Sequence, residues 1–164
     1  MFYRFISVFF ISLLICILPT EIKASGYNLQ EYKSPLLVFV SSSMPKTSLI
    51  QLGKDVAKLD GILVFRGLIN NSFTNTTKFM QEIGYNKVNT IIDPKLFSLF
   101  AIKQIPTFIV LSSNTNLCPD YKCDATPIYD FIQGNITLNY ALTKIAEDGD
   151  FAKENAQTLV MRLK

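Results

Sequence analysis

The chain has 164 residues, with 16 Lys and Arg against 13 Asp and Glu, and no histidine. Without an imidazole, a Ser–His–Asp triad, a Cys–His dyad and any His-ligated metal are excluded. The small, evenly spread charge argues against direct nucleic-acid binding, which needs clustered Lys and Arg.

Arg4 precedes an apolar run from Phe5 to Leu18, broken only by Ser7 and Ser12 and ended by Pro19. Its 14 residues fall short of the ~20 that a bilayer-spanning helix needs. Residues 1–24 therefore read as a secretory signal cut near Ala24–Ser25, which predicts an exported chain with no stable membrane span after cleavage. An uncleaved anchor is the alternative. Cys16 lacks the preceding small residues of a lipid-modified cysteine. Beyond the signal, 140 residues with a net charge near +2 remain, enough for one domain with a sizeable core. We divide them into a lead (25–34), a domain (35–148) and an amphipathic tail (149–164).

In chain order, "SPLLVFVS" (34–41) is a continuous apolar run and reads as a buried central strand. Pro45 suits the first turn of a helix, and Leu49, Leu52, Val56 and Leu59 give that helix one apolar face over 45–59. Asp60–Gly61 breaks it, and "ILVFRG" (62–67) is a second buried strand. Two such strands around a helix predict a parallel βαβ pair with a right-handed crossover. Asn75 is a candidate cap for a helix carrying Phe79, Met80 and Ile83 on one face, stopped by Gly84. "VNTIID" (88–93) is a short strand or extended segment. Asp93–Pro94 then starts a short helix lined by Leu96, Phe97 and Phe100 and ending near Lys103.

"QIPTFIVLS" (104–112) and "TPIYDFIQG" (126–134) are the last two strands, and the loop between them has the length of a decorated hairpin. That loop, "NLCPDYKCD", holds Cys118 and Cys123. In an exported chain an even pair reads as a structural disulfide, contributing roughly 2 kcal/mol in the chain-entropy model. A redox-active or metal-binding pair is the sharper alternative, but two thiols alone cannot close a tetrahedral zinc site. Leu138, Ala141, Leu142 and Ile145 define a closing helix over 137–147. The weaker spacing of Phe151, Leu159, Val160 and Leu163 leaves a tail that packs on the domain, binds a partner or frays.

The resulting order, β-α-β-α-(β)-α-β-β-α, is an α/β mixed sheet: parallel βαβ followed by an antiparallel hairpin, flanked by helices. It resembles the thioredoxin-like arrangement with a helical insertion after the second strand. "IPTFIV" (105–110) is similar to the thioredoxin Ile-Pro-Thr segment in wording and place. That resemblance implies a cis Ile105–Pro106 bond facing the turn after the first strand; an ordinary trans proline opening a strand is the alternative. It also puts Ser43-Met44-Pro45-Lys46 where redox members carry Cys-Gly-Pro-Cys. Thiol exchange needs a low-pKa thiolate and a second, resolving thiol, and none of these side chains supplies either. The expectation is a retained fold without its redox chemistry. Ser43 as a nucleophile with Lys46 as its base is the catalytic alternative; turn and capping chemistry is the plainer one.

The phrases "VFVSSSMP" (38–45), "FRGL" (65–68), "IDPKLF" (92–97), "IPTFIV" (105–110) and "GNITLNYAL" (134–142), in that order, resemble the TrbC family of F-type conjugative transfer systems. The resemblance covers roughly residues 35–146. It implies a periplasmic, non-enzymatic assembly factor for a conjugative pilus or type IV secretion channel, with other transfer proteins as partners and no cofactor. Ser42, Ser43, Met44 and Pro45 lie at the open end of the central strand, where α/β folds place their crevice. Ile105 and Pro106 are expected to face them. Arg66 either satisfies nearby carbonyls or pairs with Asp93, or it contacts a partner carboxylate. Two functions compete with groove binding: a thiol–disulfide oxidoreductase or isomerase using Cys118 and Cys123, and a structural subunit docked by its C-terminal tail.

Overall fold

The computed structural model describes residues 34–113 and 127–164. The expected signal, most of the expected lead, and Cys118 and Cys123 with their expected disulfide lie outside the described residues. Within them the chain forms β1 (Leu36–Val40), α1 (Lys46–Lys58), β2 (Ile62–Phe65), α2 (Phe73–Glu82), β3 (Asn89–Ile92) and α3 (Pro94–Leu99). β4 (Thr107–Leu111), β5 (Tyr129–Gln133), α4 (Leu138–Asp148) and α5 (Lys153–Leu163) complete it.

The strands join in one mixed sheet of order β3-β2-β1-β4-β5. β1 is parallel to β2, and β2 to β3, whereas β4 runs antiparallel to both β1 and β5. The uninterrupted apolar runs end up inside the sheet because a strand buried on both faces cannot alternate with polar residues. All five residues of β1 and all five of β4 are buried. By contrast, the edge strands β3 and β5 are only partly covered.

Alternate side chains supply two cores, as the two-residue period of a strand requires. Leu36, Val38, Val40, Leu63, Phe65, Phe108 and Val110 pack on one face with α1, α4 and α5. Leu37, Phe39, Ile62, Val64, Ile109 and Leu111 pack on the other, where Leu96, Phe97 and Phe100 of the short α3 segment seal them. Phe39 meets Phe97 edge-on at a centroid distance of 4.9 Å, and Phe100 meets Tyr129 in the same way at 4.9 Å.

Local capping follows the sequence with one correction. Asp93 accepts from the N–H groups of Lys95 (2.9 Å) and Leu96 (3.2 Å), so the Asp–Pro start of α3 forms as expected. The cap of α2 is Ser72 rather than Asn75: the Ser72 hydroxyl accepts from the Asn75 N–H at 3.3 Å. Asn75 already lies in the first turn, three residues past the cap position, where it supplies one of the helix's free N–H donors instead of receiving them.

The C-terminal tail packs on the domain. α5 buries Ala156 and Leu159 in the larger core. The Asp130 carboxylate, on β5, receives the backbone N–H groups of Asp150 (3.3 Å), Phe151 (2.8 Å) and Ala152 (2.7 Å) at the start of that helix. Asn155 donates to the Leu111 carbonyl at 2.7 Å, and Arg162 pairs with Asp60 at 2.6 Å. Thus the tail is tied to three separate parts of the chain.

Candidate functional site

The C-terminal end of β1 runs into the turn Ser41–Ser42–Ser43–Met44. This turn is closed from within: Met44 N–H donates to the Ser41 carbonyl (3.1 Å), Ser43 N–H to Ser41 Oγ (3.2 Å), and the Ser41 and Ser43 hydroxyls lie 2.9 Å apart. Pro45 is the cap residue of α1, and its carbonyl accepts the first helical bond from Leu49 N–H at 3.1 Å. Ser43 therefore serves the turn. The base proposed for it is engaged elsewhere, since Lys46 Nζ pairs with Glu82 at 2.6 Å and lies 6.0 Å from the Phe79 ring centroid. That contact with Lys46, by hydrogen bond and charge, lowers the Glu82 carboxyl below its ordinary range.

Opposite this turn the Ile105–Pro106 bond is cis. Two hydrogen bonds fix the segment: Thr107 Oγ1 donates to the Gln104 carbonyl at 2.6 Å, and Gly134 N–H donates to the Pro106 carbonyl at 3.0 Å. Gly134 has φ +131°, a region that side-chain-bearing residues rarely enter, so a glycine is needed to carry its N–H to Pro106. Proline at this place costs the sheet nothing, because Thr107 is the first residue of β4.

The residues expected to share one crevice are distributed over two. A groove of about 470 Å³ runs between α1 and the start of α4, with Met44, Leu52, Pro106 and Ile136 as its apolar part. Thr47, Ser48, Gln51, Asn135 and Thr137 give it hydroxyls and amides. A second hollow of about 400 Å³ lies at the C-terminal ends of β1 and β2, where Ser42, Arg66, Phe97, Lys103 and Ile105 meet. Consecutive residues thus line different cavities, Ile105 the hollow and Pro106 the groove. Ser43 and Pro45 border neither.

Arg66 follows the buried run of β2 and bends over Phe97, with its guanidinium carbon 5.0 Å from the ring centroid, within cation–π range. It also donates to the Ile102 carbonyl at 3.3 Å. Satisfying a nearby carbonyl, one of its expected roles, is what the side chain does.

Sequence reading missed Tyr85. Its hydroxyl donates to the Leu49 carbonyl of α1 at 2.7 Å, and its ring occupies the space over Gly53, where a Cβ would come within 2.5 Å of Tyr85 Cε1. Burial pushes the phenol pKa upward. A glycine inside an otherwise good helical pattern was the available signal for such a close approach. The contact steadies α1, whose N-terminal half forms one wall of the groove.

Among the described residues no cluster of acids and cysteines could hold a metal ion, and no helix is long and apolar enough to cross a membrane. Comparison with known proteins shows what the chain is similar to. The chain is 28% identical over 116 residues to the periplasmic protein TrbC of Escherichia coli (strain K12), an alignment covering 70% of this chain and 49% of the relative. The chain thus spans about half the length of the curated relative it matches, whose periplasmic location is the one expected for this chain. The model of the type-F conjugative transfer system pilin assembly protein family matches residues 38–145, from within β1 to within α4. With four of the five strands, the rest of β1 from Val38, the cis-proline segment and both cavities falling inside that match, the chain belongs to the type-F conjugative transfer system pilin assembly protein family.

Proposed function

We propose that this protein acts in the periplasm as a pilus assembly factor that holds extended segments of other transfer proteins, using the groove between α1 and α4. The observation that carries this reading is that Met44 and the cis-bonded Pro106 wall the same groove. A thioredoxin-like ancestry agrees with the strand order, in which a parallel pair is followed by antiparallel β4 and β5 and a closing helix. On that reading, Ser43, Met44 and Lys46 stand where a redox relative carries its reactive pair. Such a groove keeps its shape but has no thiolate with which to attack a disulfide.

The groove suits an extended chain. Its apolar floor offers area to alternate side chains of a strand, while the hydroxyls and amides on its rim can meet main-chain groups. Binding of this kind needs no cofactor. The apolar face of α5 is already used inside the domain, which favours the groove over the tail as the place where a partner docks.

A photoreactive amino acid in place of Met44, in cells carrying the transfer system, tests the proposal. We expect adducts with one or more transfer proteins from this position, and none from a photoreactive residue replacing Lys87. Lys87 is exposed and outside the groove lining. Equal capture from both positions, or pilus extension and DNA transfer undiminished after deletion of the gene, would remove the proposal.

A further inference from the structure

We propose that the hollow at the C-terminal ends of β1 and β2 is a second binding site, which receives a carboxylate of a polypeptide between Arg66 and Lys103. It lies across the Ile105–Pro106 bond from the groove and does not depend on what the groove holds.

Both cations line the hollow, and among the described residues no acidic one does. Neither makes an ion pair among the described residues, whereas Lys46, Lys58, Lys144 and Arg162 are each paired with a carboxylate. Arg66 is nevertheless held in place. One guanidinium nitrogen is bound to the Ile102 carbonyl, and Phe97 supports the plane. Only one of its five N–H donors is used by that bond, so a preorganised fork remains for a planar, bidentate acceptor. Ser42 lines the same hollow, and its hydroxyl makes no hydrogen bond to the described residues.

The walls decide the class of anion. Phosphate sites gather convergent backbone N–H groups at a helix start or nest. Here the two cations and a serine are set against apolar wall from Phe97, Leu68 and Ile105. Such a surface suits a carboxylate with an apolar residue beside it. A chain terminus and an Asp or Glu side chain both present that chemistry.

The test uses the full chain, isotope-labelled and purified after export, with three N-acetylated peptides. One ends in leucine with a free C-terminal carboxylate, one is its C-terminal amide, and one is that amide with a single glutamate next to the leucine. In NMR titrations to about 5 mM, an affinity range suited to a single ion-pair contact, a carboxylate-bearing peptide should shift the amides of Ser42, Gly67 and Leu68. The uncharged amide should not. Binding by the first peptide alone assigns the site to a chain terminus; binding by the third assigns it to an acidic side chain. Arg66→Gln and Lys103→Gln should each weaken binding about tenfold, the range for one lost charge-assisted hydrogen bond. Lys95→Gln, at an exposed cation with no ion pair among the described residues and outside the hollow, should leave binding unchanged.

The proposal is overturned if the uncharged amide binds as tightly as the others, or if no peptide binds. It is also overturned if shifts appear only around Asn135 and Thr137, a result that would speak for the groove instead. Should Arg66→Gln disturb folding, Lys103→Gln alone decides, because that side chain is exposed and carries no internal hydrogen bond or ion pair among the described residues. Unchanged binding in Lys103→Gln would then refute the pairing of the two cations.

Discussion

Asp130→Ala isolates the device that docks the last helix. In the native protein one carboxylate receives three backbone N–H groups, at 3.3, 2.8 and 2.7 Å, from Asp150, Phe151 and Ala152. The three donors are not equivalent. Asp150 and Phe151 are exposed, so water replaces most of what they lose. Ala152 is only 2% exposed, and its N–H would be left buried and unpaired, at about 1–3 kcal/mol. Losing the remaining cap contribution adds about 1 kcal/mol, for an expected destabilisation of about 2–4 kcal/mol. With a urea m-value of about 2 kcal/mol/M, the midpoint should fall by about 1–2 M at unchanged slope. Asp130→Asn keeps one acceptor oxygen and should lose roughly half as much. Hydrogen exchange should meanwhile accelerate most in residues 153–163, because α5 is the element released. A change below about 0.5 kcal/mol in Asp130→Ala, the range of ordinary surface substitutions, would refute the reasoning. It would mean that burial of Ala156 and Leu159 holds α5 unaided.

Two further predictions test other parts of the architecture. Gly53→Ala would ordinarily gain up to about 1 kcal/mol of helix propensity. Here the new Cβ meets Tyr85 Cε1 at 2.5 Å, so thermal unfolding should show a net loss of about 1–2 kcal/mol, smaller in combination with Tyr85→Ala than the two single losses added. The Lys46–Glu82 pair lowers the folded-state pKa of Glu82 below its ordinary 4.5. A depressed carboxylate stabilises above the unfolded value, and the contribution is lost as pH falls through the folded one. Urea midpoints of the native protein and of Glu82→Gln should therefore differ near neutrality and converge in acid below pH 4.5. A gap that persists undiminished in acid would assign the Gln effect to packing.

Much of the sheet is legible without coordinates. "LLVFV", "ILVF" and "TFIVL" are continuous apolar runs, and these become β1, β2 and β4, with every residue of each buried. The periodicity of Leu49, Leu52 and Val56 gives α1 its buried face, and Asp93–Pro94 announces α3 through chemistry contained within four residues. The wording around Pro106 implied a cis bond, and the bond is cis. Candidate site residues were harder. Ser42, Met44, Arg66, Ile105 and Pro106 were named from their places at strand ends, yet nothing in their spacing told that neighbouring residues 105 and 106 would open onto different cavities.

Local information is enough for what a residue does with its near neighbours: burial period, caps, turn-forming serines, and the lack of a thiol beside Pro45. These follow from propensities and hydrogen bonds that act over a few positions, and from composition, which no folding can change. Contacts between distant segments belong to the tertiary structure alone. Asp130 reaches Ala152 across 22 positions, Tyr85 reaches Leu49 across 36, and Arg162 reaches Asp60 across 102. Each depends on how the sheet orders its strands and on which side each helix crosses, and many sequences with the same local patterns would satisfy neither. The division of the cavities has the same origin, because the two faces of one sheet meet at the Ile105–Pro106 bond and only the packed helices decide what stands opposite each.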